Sequence, residues 1–397
     1  MMRSTDRIIT SHAGTLPRPP ELEAIMGPLF GTQQIDEAEF KRVVPGLVRD
    51  VVRRQVDIGI DIVNDGEYGK RGGFSFYVQS RIGGLEEAPP DEAPEPHNIT
   101  ARDQKEFPGF FAANMGGFAR MTGAQTPGGR PVRINAPIFA RQPLTYVGQE
   151  QVQFDIANIK AAMEGIQGHQ PYLPAVAPGT IEHWLWNRYY KDDREFLFAI
   201  ADVMHEEYKA ITDAGIVLQI DDPDLPDGWQ MFPEMSVEDY RRYAQLRVEA
   251  LNHALRDCPR ELVRLHVCWG SGHGPHKNDI DLRHIIDIIF NVKAECYSIE
   301  ASNARHEHEW EVFETVKLPD GATLMPGVIG HATDLVEHPE LVAQRLVRYA
   351  NLVGRENVIA GTDCGLGGRV GHAEIAWAKL EAMVEGARIA TKKLWGR

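Results

Sequence analysis

The chain has 397 residues, 43% of them hydrophobic, with 42 basic against 57 acidic residues and a formal charge of -15. That charge repels nucleic acid and anionic lipid, and no apolar run approaches the roughly 20 residues of a membrane span, so a small-molecule substrate and a cytoplasmic setting are expected. The opening MMRSTDRIITSHAG has no signal-peptide apolar region, and the four cysteines are better read as metal ligands and buried thiols than as disulfide partners.

Short β-rich runs alternate with amphipathic stretches of helical length, which argues for a parallel sheet with crossover helices. Strands are predicted at 7 to 12, 60 to 65, 172 to 177, 216 to 221, 262 to 268, 296 to 300, 323 to 329 and 357 to 362. Eight such strands make a (β/α)8 TIM barrel, so the expected fold is one α/β barrel domain over 1–397. Helical connectors are predicted over 37 to 57, 193 to 213, 237 to 256, 280 to 291, 338 to 353 and 373 to 393. A large insertion separates strands 2 and 3, over 68–170, and is expected to cap the barrel mouth. Its GLEEAPPDEAPEPHNIT part reads as loop or extended chain, and PVRINAPIFARQPLTYVG alternates like a hairpin strand pair.

Three strand ends carry the side chains of a zinc site: His266 and Cys268 in ELVRLHVC, Glu300 in AECYSIE, and Cys364 in NVIAGTDC. Structural zinc is usually gripped by closely spaced Cys/His pairs, whereas these ligands must converge from separate elements, as barrel active sites do. Two thiolates, a carboxylate and an imidazole outweigh a divalent cation, so such a Zn2+ makes a poor hydroxide generator. It is expected instead to activate a substrate thiol, with Glu300 the most easily displaced ligand. Cys296, in the apolar run before Glu300, reads as a buried core thiol, and Cys258 is left over. His12 and Arg18 follow the first strand in SHAGTLPRP, where an arginine suits the anionic end of a substrate. Asp222 and Asp224 in DDPDLPDG read as turn or capping residues. His273 and His276 are weak candidates for a role, and the HEHE run with His306 and His308 reads as solvated or capping.

SHAGTLPRP, DIVNDGE, LQIDDP, HVCWG, SIEASN, MPGVI and GTDCGLG, in this order, resemble the cobalamin-independent methionine synthase superfamily. The likeness covers most of the chain and is to the catalytic C-terminal barrel and its single-barrel relatives, including epoxyalkane:coenzyme M transferases. It implies zinc on His266, Cys268, Glu300 and Cys364, the same set as the spacing suggests. It further implies that Glu67 and Asp221 hold the ammonium of an amino-thiol and that His331 shuttles a proton. Full-length synthases of this type carry a second, N-terminal barrel that helps bind the folate. The segments WGSGHGPHKND and GHATD also depart from the synthase pattern, so thiol and donor both stay open.

The expected activity is zinc-dependent transfer of a methyl or other alkyl group to a small thiol, as in methionine biosynthesis. Its partners are the thiol and an alkyl donor, with a methyl-donor protein as another source of the group; a homo-oligomer is compatible with the sequence. Thiol addition to an epoxide, or C–S bond cleavage, is the alternative within the same chemistry. A zinc-water hydrolase and a non-catalytic zinc module rank lower.

Overall fold

The computed structural model describes residues 1–397 except 27–34, 72–75, 90, 93, 95–97, 114–136, 271 and 397. All eight predicted strands form one sheet: β1 (Ile9–Thr10), β2 (Ile62–Val63), β5 (Gln170–Val176), β7 (Val217–Asp221), β8 (Val263–Val267), β9 (Cys296–Ile299), β10 (Thr323–Ile329) and β11 (Ile359–Thr362). Their order is β1-β11-β10-β9-β8-β7-β5-β2, with parallel pairing throughout. The edge strands meet, since Asp61 N donates to Thr10 O at 3.1 Å and Ser11 Oγ to Ile62 O at 3.0 Å, and the sheet curls into a barrel. The fold is the expected (β/α)8 TIM barrel.

Strand parity sorts the side chains. In β8, Val263, Leu265 and Val267 join the apolar cluster shared with the helices, while Arg264 and His266 point the other way. Ile9, Ile62, Tyr172, Val217, Cys296, Met325 and Ile359 form a separate interior cluster, which confirms Cys296 as a core thiol. Arg264 is fully buried at this level, lies 4.0 Å over the Tyr172 ring, and donates to Ser11 Oγ at 2.8 Å and His12 O at 3.1 Å.

Helices Glu37–Ile58, Asp193–Asp213, Val237–Ala254, Pro339–Val353 and Ala373–Trp395 stand where connectors are predicted. Asp36, Asp192 and Ser236 cap the first three through their side chains. The predicted connector 280 to 291 is instead two short pieces, a 3-10 turn at Leu282–His284 and a helical turn at Ile286–Ile289.

The segment 68 to 170 holds more regular structure than its composition suggests. Helix Gln149–Met163 packs against helix Glu37–Ile58. Its buried face includes Asp155 and Asn158, which blurs the apolar period; Asp155 is offset by Arg81 at 2.5 Å, which also reaches Glu207 at 3.1 Å. The expected hairpin is corrected: residues 138–146 form one strand, β4 (Ile138–Tyr146), while 131–136 lie outside the described residues. β4 pairs antiparallel with β3 (Ile82–Glu87), so the GLEE that reads as loop belongs to a strand, and parallel with β6 (Leu185–Asn187). Helix Ala101–Glu106 packs on helix Asp224–Met231, where Arg102 donates to Trp229 O, Phe232 O and Met235 O at 2.6 to 2.9 Å. This segment therefore reaches the C-terminal rim of the barrel. Among the described residues no helix is long and apolar enough to cross a membrane.

Candidate metal centre

His266 and Cys268 are two residues apart, so the parity of β8 turns both toward the barrel axis at its C-terminal end. Cys364 arrives two residues past β11. One ligand atom from each of His266, Cys268 and Cys364 lies within 4.8 Å of the others. His266 Nδ1 meets Ser298 Oγ of β9 at 2.9 Å, while its Nε2 is buried and makes no hydrogen bond. The Cys268 thiol donates to the Cys364 sulfur, which pushes Cys268 above the usual thiol range. The same bond, with His266 and His331 beside it, holds Cys364 well below that range against burial. A buried imidazole nitrogen without an oxygen or nitrogen partner, converging with two cysteine sulfurs, is a donor set that suits a cation. Thiolate and imidazole suit zinc.

Glu300 groups with His331 and Asp363 rather than with that trio, again with ligand atoms within 4.8 Å of one another. Its carboxylate accepts from Trp269 N at 2.9 Å and Asn303 Nδ2 at 2.6 Å. Burial, then the charge of Asp363, pushes it up to about 8, and the Cys364 charge adds to this. Asp363 is held by Ala301 N at 2.8 Å, Ser302 N at 2.9 Å and Ser302 Oγ at 2.6 Å. It fits only because residue 327 is glycine: a Cβ there would stand 1.9 Å from Asp363 Oδ1. His331 is 2% exposed, its Nδ1 is unpartnered, and burial lowers its pKa to about 4.

Asp221 ends β7 directly across from His266 and accepts from Gln219 Nε2 at 2.6 Å. Burial raises its pKa to about 7, and the Glu67 charge contributes. Glu67 is 5% exposed with a backbone φ of 61°, and its Oε1 would lie 2.6 Å from a Cβ on Gly14, so glycine leaves the space this carboxylate uses. Lys70 Nζ stands 3.9 Å from Glu67 and donates to Pro174 O at 2.5 Å. Arg18 donates to Lys70 O at 3.0 Å, while its Nε and Nη1 are buried without partners. Burial lowers the Arg18 pKa to about 10, against the attraction of Glu67.

His12 has both ring nitrogens engaged within the barrel, Nε2 meeting Gln55 Oε1 at 2.9 Å and Nδ1 meeting Tyr172 Oη at 3.1 Å. Asp222 and Asp224 do lie at a turn, with Leu225 N donating to Asp222 O at 3.4 Å and Asp224 opening helix Asp224–Met231, but their side chains are buried, Asp222 accepting from Thr180 Oγ1 at 3.1 Å and Asp224 meeting His183 Nδ1 at 2.9 Å. His306 is 2% exposed and bridges Asp279 and Glu309, whereas His308 is exposed as expected. Trp269, Asn303 and Asp363 around Glu300 are given no role by the sequence reading, although each lies within a motif that it singles out.

The family described as "Cobalamin-independent synthase, Catalytic domain" matches residues 155–389. The chain is similar to a methionine synthase of Saccharolobus islandicus, 23% identical over 394 residues, covering 97% of this chain and 95% of that one. It is similar also to one of Thermococcus kodakarensis, 26% identical over 226 residues, covering 56% and 58%. Among solved structures, a B12-independent methionine synthase from a Shewanella species, in complex with selenomethionine, superposes with a TM-score of 0.71 at 20% identity, covering 98% of this chain and 100% of that one. One from Listeria monocytogenes, described as putative in its own report, reaches 0.65 at 16% identity, covering 97% and 99%.

Proposed function

This chain belongs to the cobalamin-independent methionine synthase family, and from that premise we propose that it is an enzyme that transfers a methyl group to the sulfur of a small amino-thiol on a zinc site. The observation that carries the reading is the meeting of His266, Cys268 and Cys364 at the C-terminal face, with a free buried imidazole nitrogen among them. Those three would hold zinc, with Glu300 as the displaceable fourth ligand. When bound, zinc supplies acidity to a ligated thiol, so that sulfur is presented as a thiolate at neutral pH.

The remaining steps fall to the chain's own side chains. Ser298 fixes the His266 ring through Nδ1 and keeps Nε2 free for the metal. Glu67 and Asp221 receive the ammonium of the thiol substrate; burial without enough countercharge raises the Asp221 pKa, and a bound cation relieves that. Arg18, with two buried N–H groups unsatisfied, receives the carboxylate end. His331, neutral in its buried setting, takes or returns a proton beside Cys364. Residues 1–397 act as one catalytic unit in this reading.

The test is transfer to homocysteine from a panel of methyl donors by zinc-loaded protein, with zinc X-ray absorption followed on adding the thiol. A new Zn–S contact together with methionine formation is expected. No gained contact with homocysteine or with any amine-free thiol would sink the reading. A gained contact confined to sulfonated thiols would move it to epoxide-directed thiol addition.

A further inference from the structure

Beneath Glu300 lies a buried charged layer whose parts the methyl-transfer chemistry does not use. His306 is 2% exposed, with Nδ1 at 2.9 Å from Glu309 Oε2 and Nε2 at 3.1 Å from Asp279 Oδ2. A ring with a carboxylate on each nitrogen donates from both, and is therefore an imidazolium. Burial opposes that charge, but the two hydrogen bonds prevail and raise the pKa to about 9. Both carboxylates are anchored in turn: Asp279 by Gln230 Nε2 and His276 Nδ1, each at 2.9 Å, and Glu309 by Leu282 N at 2.6 Å.

Two paths lead from His306 to Glu300, one from its ring and one from its backbone. The Trp269 indole lies on the imidazole, with centroids 4.0 Å apart and 22° between planes, and the Trp269 backbone N–H donates to Glu300 Oε2 at 2.9 Å. Asn303 accepts from the His306 backbone N–H at 3.0 Å, and its amide donates to Glu300 Oε1 at 2.6 Å. Asn303 is held by backbone alone, since its Oδ1 accepts from Arg305 N at 2.9 Å as well, whereas the Trp269 donor is seated on the imidazolium ring, and a cation under an indole face holds that face in place.

We propose that His306, clamped by Asp279 and Glu309, is a positioning residue that sets the place of the Glu300 carboxylate beside the metal through Trp269. The proposal rests on the reading of Glu300 as a displaceable zinc ligand. It gives His306 no contact with substrate. Its effect runs through one neutral donor, the Trp269 N–H, so removing it leaves the ligand set intact and alters where the fourth ligand sits.

Cobalt-loaded protein tests this, because the visible bands of Co2+ report its coordination without turnover. His306→Gln, Asp279→Asn and Glu300→Gln are compared with the parent for cobalt spectrum and for zinc affinity by chelator competition. Asp279→Asn keeps the shape of the site and the imidazole, so it decides the matter if His306→Gln fails to fold. Glu300→Gln should change the spectrum; His306→Gln and Asp279→Asn should move it the same way, with about one metal per chain retained and zinc bound about tenfold more weakly. Altered bands in Glu300→Gln with parental bands and parental zinc affinity in the folded His306 or Asp279 variants would overturn the positioning role alone. Parental bands in Glu300→Gln would instead overturn the ligand reading beneath it.

Discussion

Asp221 and His266 face each other across the parallel pairing of β7 and β8, which places the carboxylate proposed to hold the substrate one strand from the imidazole proposed to hold the metal. A thiol bound at that metal and an amine bound at Asp221 would therefore belong to one short molecule. Asp221→Asn or Glu67→Gln should weaken an amino-thiol by about 1.5 to 3 kcal/mol, the scale of a hydrogen bond to a charged group, and leave an amine-free thiol unaffected. Calorimetric titration of both thiols into each variant checks this, and equal losses for the two would refute the ammonium site.

Cys268→Ser and Cys364→Ser should each lose most of the metal, because a catalytic zinc tolerates few missing protein ligands. Metal analysis after dialysis measures it. Unfolding midpoints should fall far less than metal content, since the barrel's apolar clusters do not include the ligands His266 and Cys364. Full zinc occupancy in both variants would place the metal elsewhere.

The pair His276–Asp279 should shape stability on the alkaline side. Burial opposes the charge on His276, but the Asp279 hydrogen bond and charge raise its pKa to about 10 from an ordinary 6.5. Asp279 is pushed down to about 2 from 3.8, also against burial, chiefly by His276 and then His306. A raised histidine stabilises fully below its unfolded pKa and loses that stabilisation as pH climbs through the folded value; a depressed carboxylate does so above its unfolded value and loses it as pH falls through the folded one. The pair therefore contributes fully between the two ordinary values, and its part fades from about pH 6.5 to 10. His276→Asn should flatten the fall in urea midpoint over that range, and an unchanged slope would show that His276 carries no charge in the folded protein.

Gly327→Ala should cost about 1 to 3 kcal/mol, as overpacked core substitutions do. The added methyl meets Asp363 Oδ1, and the carboxylate must leave the backbone amides of Ala301 and Ser302. Denaturant unfolding gives the size of the loss, and methyl transfer should fall as well, since Asp363 lies beside Glu300 and His331. Wild-type stability would mean that Asp363 has room to move aside.

The barrel strands were legible because strongly apolar runs bounded by Gly, Pro and Asp mark buried parallel strands whatever surrounds them. Strand parity also made His266 and Cys268 readable as neighbours on one face. Helix Gln149–Met163 was not legible: Asp155 and Asn158 sit on its buried side, and the charge of Asp155 is offset by the distant Arg81. His306 misled for the same reason. A run such as HEHE reads as solvated until Asp279, 27 residues earlier, is seen to close on the second ring nitrogen.

Glu67 holds its carboxylate from a left-handed backbone, a conformation that costs an ordinary side chain about 1 to 2 kcal/mol and glycine almost nothing. The residue before it is already glycine, with φ of 70°. A second glycine at 67 would therefore be expected to make the fold harder to unfold while stripping the pocket of an anion. Selection for thermal endurance alone, with no demand for turnover, should erase this residue early. Recovering Glu67→Gly or Glu67→Asn among heat-selected, inactive variants would show that the protein trades endurance for its substrate at this position.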